Sequence, residues 1–215
     1  RRQRQMCIRD SPYTDFVVAD TLINAATRPQ YYQRFSPIMH KPYATVTEAN
    51  IPQPVDGAAA VLLMNESRAK ALGLEVLGYI RSYAITGNDI WHNMFAGATI
   101  SSSIALERAG LTLADMDFLD IHETSASQML MNIRLFESDD FAKSQLNRTA
   151  CLGKIDLDKL NHLGGSIAFG NPRAVTSLRT VIQSLFALKR KGGGTSLVAS
   201  SGLGGLGAAM VLETE

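Results

Sequence analysis

Apolar positions along the chain follow two periods that alternate with one another. From Ala174 to Lys189, Val175, Leu178, Ile182, Leu185 and Phe186 recur at helical spacing, a stripe on one face of a helix. Gly57-Ala-Ala-Ala-Val-Leu-Leu-Met64 is instead an unbroken apolar run, which reads as a short buried strand. Asn65 can cap a helix through Leu72 that Gly73 ends. Residues 75–84 read as another strand, and a helix follows over Ala98–Ala109, closed by Gly110. Asp117–Ile121 is a short strand, with helices over Ser125–Phe136 and Asp139–Leu146 after it. Two last strands, 195–200 and 207–213, flank a glycine-rich turn, while Pro29, Pro37 and Pro42 keep residues 16–42 loop-like or loosely helical. Strands alternate with helices, so the fold class is α/β.

Composition narrows the function classes. With 46% hydrophobic and 19% charged residues and a net charge of +1, the chain reads as an ordinary globular protein without a nucleic-acid footprint. Two cysteines, Cys7 and Cys151, cannot build a disulfide framework, so a reducing setting is expected. Gly192–Leu212 carries no charge and is long enough to span a bilayer. Glycine occupies seven of those positions, however, and two buried strands joined by a turn explain the segment better.

Ten of the seventeen glycines lie after residue 160, six of them in two of three loops that also carry polar groups. The loops are His122-Glu123-Thr124, Gly164-Gly165-Ser166 through Gly170-Asn171-Pro172, and Ser200-Ser201-Gly202-Leu203-Gly204-Gly205. Each adjoins a predicted strand or helix end, so convergence on one cleft is expected. His122-Glu123 stands at the C-terminal end of a predicted strand, where open α/β sheets build their sites. His40 and His92 have no partners at metal-ligand spacing, and no metal site is expected.

The motifs in this order resemble the thiolases. They are Val46-Thr47, Asn50, Asp56-Gly57-Ala58-Ala59-Ala60, His122-Glu123, Gly164-Gly165-Ser166-Ile167-Ala168, Gly170-x-Pro172, and Gly204-Gly205-Leu206-Gly207-Ala208-Ala209-Met210. Within that family they resemble the 3-ketoacyl-CoA thiolase subunits of fatty-acid β-oxidation complexes, and Lys41-Pro42-Tyr43 and Arg190-Lys191-Gly192-Gly193-Gly194 fit the same branch. The likeness covers residues 36–215, the C-terminal half of such an enzyme. It implies a layered αβαβα fold with a mixed sheet covered by helices. Residues 12–74 would end the N-terminal and loop region, and 75–215 would form the C-terminal domain. Residues 1–11 resemble translated sequencing-adapter DNA and are expected to be a non-native tail.

The resemblance also assigns chemistry. Thiolases carry an acyl group on a nucleophilic cysteine, expected upstream of this segment. His122-Glu123 matches the motif that helps bind the thioester oxygen. The activating histidine of a Gly-His-Pro motif is replaced by Asn171, and the second, proton-shuttling cysteine by Ser201. A carboxamide cannot accept a proton, and a serine hydroxyl is a far weaker acid than a thiol with a pKa of about 8.5. Related condensing enzymes use a Cys-His-Asn set, and His122 and Asn171 match its histidine and asparagine. Catalytic candidates are therefore His122, Asn171 and Ser201. Glu123, Gly170, Leu203 and Gly204 are supporting candidates, with the Leu203 N–H in a backbone oxyanion hole.

Plainer readings stand beside these: His122 as a strand-end histidine, Asn171 as a turn residue between Gly170 and Pro172, and Glu123 as a loop-orienting group. The expected function is an acyl-CoA acyltransferase, condensing rather than thiolytic; the alternative is a catalytically inactive subunit with a binding or structural role. By resemblance the CoA thioester is substrate rather than bound cofactor. A homodimer, attached to a β-oxidation complex, is implied, located in a bacterial cytoplasm or a eukaryotic mitochondrion.

Overall fold

The structure, a computed structural model, describes residues 22–23 and 27–215. The expected tail over 1–11 and part of the 16–42 loop lie outside the described residues. After one helical turn, α1 (Pro29–Tyr32), come α2 (Glu66–Ala71), β1 (Tyr79–Gly87), α3 (Gly97–Ala109) and β2 (Phe118–Ile121). Then follow α4 (Ala126–Phe136), α5 (Asp139–Gln145), the short α6 (Ser166–Phe169), α7 (Thr176–Lys191), β3 (Gly194–Gly202) and β4 (Leu206–Thr214).

The four strands form one mixed sheet in the order β1-β4-β3-β2, antiparallel except for the parallel β2–β3 pair. Strand alternation sorts their side chains to two helical layers. On one face Leu119, Ile121, Leu197, Ala199, Ala209 and Val211 pack with Ala98, Ala105 and Leu106 of α3. On the other, Val198 and Leu212 pack with Leu185 of α7. α3 can approach β4 because two glycines meet there. A Cβ on Gly207 would lie 2.6 Å from the Gly97 Cα, closer than carbon atoms pack.

Helix ends follow the local chemistry. The hydroxyls of Ser125 and Ser138 accept from the N–H groups of Gln128 and Phe141 at 3.0 and 3.1 Å, capping α4 and α5. Left-handed Gly110 and Gly192, at φ 68° and 96°, end α3 and α7.

Two expected strands need correction. Residues 57–64 form no strand, and Leu62 and Leu63 are 75% and 70% exposed. An apolar run signals burial but supplies no backbone partner, and none of the described strands pairs with it. The strand expected over 75–84 runs instead over Tyr79–Gly87, because its ladder with β4 begins at Tyr79 opposite Glu213. Among the described residues no helix is long and apolar enough to cross a membrane.

Candidate active site

The site is built around the end of β2. Ile121 lies opposite Ala199 of β3, and the next N–H, that of His122, donates to the Ala199 carbonyl at 2.8 Å. Leu119 and Ile121 point to the α3 layer, whereas Asp120 meets the hydroxyl of Ser184 on α7. His122, next in the alternation, continues on the α7 side. Its Nδ1 is 2.8 Å from Oγ of Ser166, at the start of α6. Arg179 of α7 donates to the same hydroxyl oxygen from Nη2 at 3.3 Å, and its guanidinium lies 5.5 Å from the centre of the Phe169 ring. Burial, reinforced by the Arg179 charge, lowers the His122 pKa to about 4.

Glu123 binds loops with both carboxylate oxygens. Oε1 accepts from Asn161 Nδ2 at 2.9 Å and Oε2 from the Ile167 N–H at 2.8 Å. Asn161, left-handed at φ 46°, also accepts the Ile121 N–H and donates to the Ile121 carbonyl. Gly165 must be glycine for this packing, since a Cβ there would overlap the Glu123 carboxylate.

Asn171 reaches the same assembly through the 164–171 loop. Its N–H donates to the Gln53 carbonyl at 2.8 Å. Its side-chain oxygen accepts from the Arg173 N–H at 2.8 Å and from the Thr176 hydroxyl at 2.7 Å, tying the turn to the first residue of α7. That leaves Nδ2 as the side-chain group not engaged by the loop. Gly170, at φ +83°, is buried against Val55. An open cleft of about 430 Å³ adjoins this loop, lined among others by Val55, Phe169, Pro172, Arg179 and Gln183.

Ser201 sits elsewhere. Alternation along β3 turns Ser200 toward Ser177 of α7 and Ser201 toward α3. The buried Ser201 hydroxyl accepts from the Ala98 N–H at 2.9 Å and donates to the Phe95 carbonyl at 2.8 Å. Leu203, 75% exposed, and Gly204, at φ +82°, form the turn between β3 and β4. The structure therefore joins His122, Glu123, Gly170 and Asn171 through the 161–171 loop, and sets the Ser201 side chain on the opposite sheet face. Among the described residues no cluster of three His, Cys, Asp or Glu could hold a metal ion.

Residues 74–214 match the family described as thiolase, C-terminal domain. The chain belongs to the thiolase family. It is 47% identical over 203 residues to a 3-ketoacyl-CoA thiolase of Pseudoalteromonas translucida, covering 94% of this chain and 47% of that protein. The corresponding enzyme of Aeromonas salmonicida is 47% identical over 204 residues, with 95% and 47% covered. The chain thus spans about half the length of the curated relatives it matches. The crystal structure of human mitochondrial 3-ketoacyl-CoA thiolase superposes with a TM-score of 0.75 at 29% identity, over 91% of this chain and 45% of that one. That of Bacillus anthracis acetyl-CoA acetyltransferase gives 0.78 at 27% identity, over 94% and 47%.

The sequence pointed to Ser166 only as part of a polar glycine loop and a thiolase motif, and Arg179 and Asn161 were missed. Arg179 carries one visible signal, a charge beside Leu178 and Ile182 on an otherwise apolar helix stripe. Asn161 carries none that separates it from an ordinary loop residue.

Proposed function

We propose that this chain is the C-terminal portion of a thiolase-fold acyl-CoA acyltransferase. On this reading it forms carbon–carbon bonds with a Cys-His-Asn set, the cysteine being supplied by the N-terminal portion. Residues 12–74 would complete that portion and 75–215 would be the C-terminal domain. The observation carrying the reading is the state of Asn171. An amide replaces the thiolase imidazole, and its oxygen is engaged by Arg173 and Thr176, so that Nδ2 is the side-chain group left to act as a donor.

The cysteine attacks the carbonyl of an acyl-CoA and expels the CoA thiolate. A malonyl thioester then loses CO₂, and the electron pair of the broken bond becomes an enolate. Hydrogen bonds from His122 and Asn171 to the enolate oxygen stabilise the charge as it develops. The enolate carbon attacks the acyl-cysteine and releases the thiolate. Decarboxylation requires no base, so Ser201 in place of a thiol is tolerated.

The test is condensation of an acyl-CoA with malonyl-CoA by the longer protein. His122→Ala and Asn171→Ala should each lower turnover by about 10²–10³, the typical cost of one such donor. Unchanged turnover in both variants refutes the reading. A second reading, a catalytically silent subunit that binds acyl-CoA or a partner, is favoured by Ser201, whose hydroxyl is spent on α3. Binding without turnover would select it.

A further inference from the structure

We propose that Ser166 is a positioning residue that sets the tautomer of His122. Its hydroxyl donates to Nδ1 and thereby keeps the ring proton on Nε2, available as a donor to a thioester oxygen. The inference rests on the donor role given to His122 above.

Ser166 is 1% exposed. Its Oγ has two side-chain neighbours within hydrogen-bond distance, Nδ1 of His122 at 2.8 Å and Nη2 of Arg179 at 3.3 Å. A guanidinium can only donate, so Arg179 occupies an acceptor position on the hydroxyl oxygen. If Nδ1 also donated, Oγ would accept twice and its own buried proton would have no acceptor among the described residues. Donation from Ser166 to Nδ1 satisfies all three groups. Arg179 is fixed for its part by a 2.8 Å bond from Nη1 to Gln183 Oε1 and by the Phe169 ring.

The charge state agrees with this arrangement. Burial and the neighbouring guanidinium oppose an imidazolium, with the His122 pKa lowered to about 4. The neutral ring has one N–H to place, and Ser166 directs it to Nε2. With a proton already there, Nε2 serves as a donor and not as a general base. Ser166 and Arg179 thus confine His122 to one chemical role without touching the substrate.

Long-range ¹H–¹⁵N correlation spectra of the ¹⁵N-labelled 215-residue chain at neutral pH read the tautomer directly. His122 is assigned among the four histidines by loss of its signals in His122→Asn. The expected wild-type result is a protonated Nε2 and an unprotonated Nδ1. In Ser166→Ala the two ¹⁵N shifts should move toward each other as the tautomers exchange, and Ser166→Thr should restore the wild-type pattern. A proton on Nδ1 in the wild-type protein overturns the proposal, whether or not any variant folds. An unchanged spectrum in folded Ser166→Ala overturns it too. Failure of turnover with the expected tautomer would instead count against the condensing reaction and leave the Ser166 assignment standing.

Discussion

Replacing Ser201 with alanine tests whether this position acts in the structure as a helix cap supplied from a strand. α3 begins after Ala96, which has no side-chain acceptor for its own helix, so the first-turn N–H of Ala98 is met by the Ser201 hydroxyl at 2.9 Å. The same hydroxyl donates to the Phe95 carbonyl at 2.8 Å. Ser201→Ala removes one oxygen and opens little space, so the loss is polar rather than steric. Two net hydrogen bonds of about 1 kcal/mol each disappear and the Ala98 N–H is left unmet, while the Phe95 carbonyl keeps its bond from Asn132 Nδ2 at 3.1 Å, for a total of about 2–3 kcal/mol. With a urea m-value of about 2 kcal/mol/M, the unfolding midpoint should fall by roughly 1 M with m unchanged. Ser201→Cys, which keeps a weak donor and acceptor, should fall between. Ser200→Ala, whose hydroxyl faces Ser177 at 3.4 Å on the other sheet face, should stay within about 0.5 kcal/mol of wild type. A midpoint shift in Ser201→Ala no larger than that of Ser200→Ala refutes the capping argument.

Gly207→Ala should destabilise the chain by about 1–3 kcal/mol, because the new methyl has only the Gly97 backbone to push against. Urea midpoints measure it, and a neutral substitution would mean that α3 and β4 are not in backbone contact. His122 takes up a proton at about pH 4 in the fold against 6.5 for the unperturbed ring, so the unfolded chain binds it first as the pH falls. Its contribution to stability is therefore present above pH 6.5 and drains away toward pH 4, and His122→Gln should flatten that part of the urea-midpoint profile. Asp120 has the opposite sign. Burial raises its pKa against the opposing Ser184 hydrogen bond, so its contribution holds at low pH and is lost as the pH rises through the folded value. Asp120→Asn should gain stability relative to wild type on going from pH 4 to pH 7, and a parallel pair of profiles would contradict this.

What the chain shows locally, its sequence reveals well. Gly110 at the end of α3 and the apolar stripe of α7 depend on neighbours within a few residues, and those helices lie where the two signals put them. Partnership is less legible. The run 57–64 has strand composition, but a strand is defined by the chain beside it, and among the described residues none pairs there. The separation of Ser201 from His122 depends on the register that sets Ile121 opposite Ala199, a relation across nearly eighty residues. The neighbourhood of Arg179 is hidden in the same way, since helical spacing gives its face but not the buried hydroxyl it meets. The loop motifs were readable because glycine there answers to close packing, as at Gly165 beneath the Glu123 carboxylate.

On the proposed reading, this thiolase-family chain belongs to an enzyme working through an acyl-cysteine, with His122 and Asn171 as its oxygen-binding pair. Intact-mass spectrometry of the longer protein after mixing with acyl-CoA tests it most directly. The expected result is an added mass equal to one acyl group, located on a cysteine of the N-terminal portion and removed when malonyl-CoA is supplied. An unmodified protein that still binds acyl-CoA would contradict it and leave the silent-subunit reading in its place.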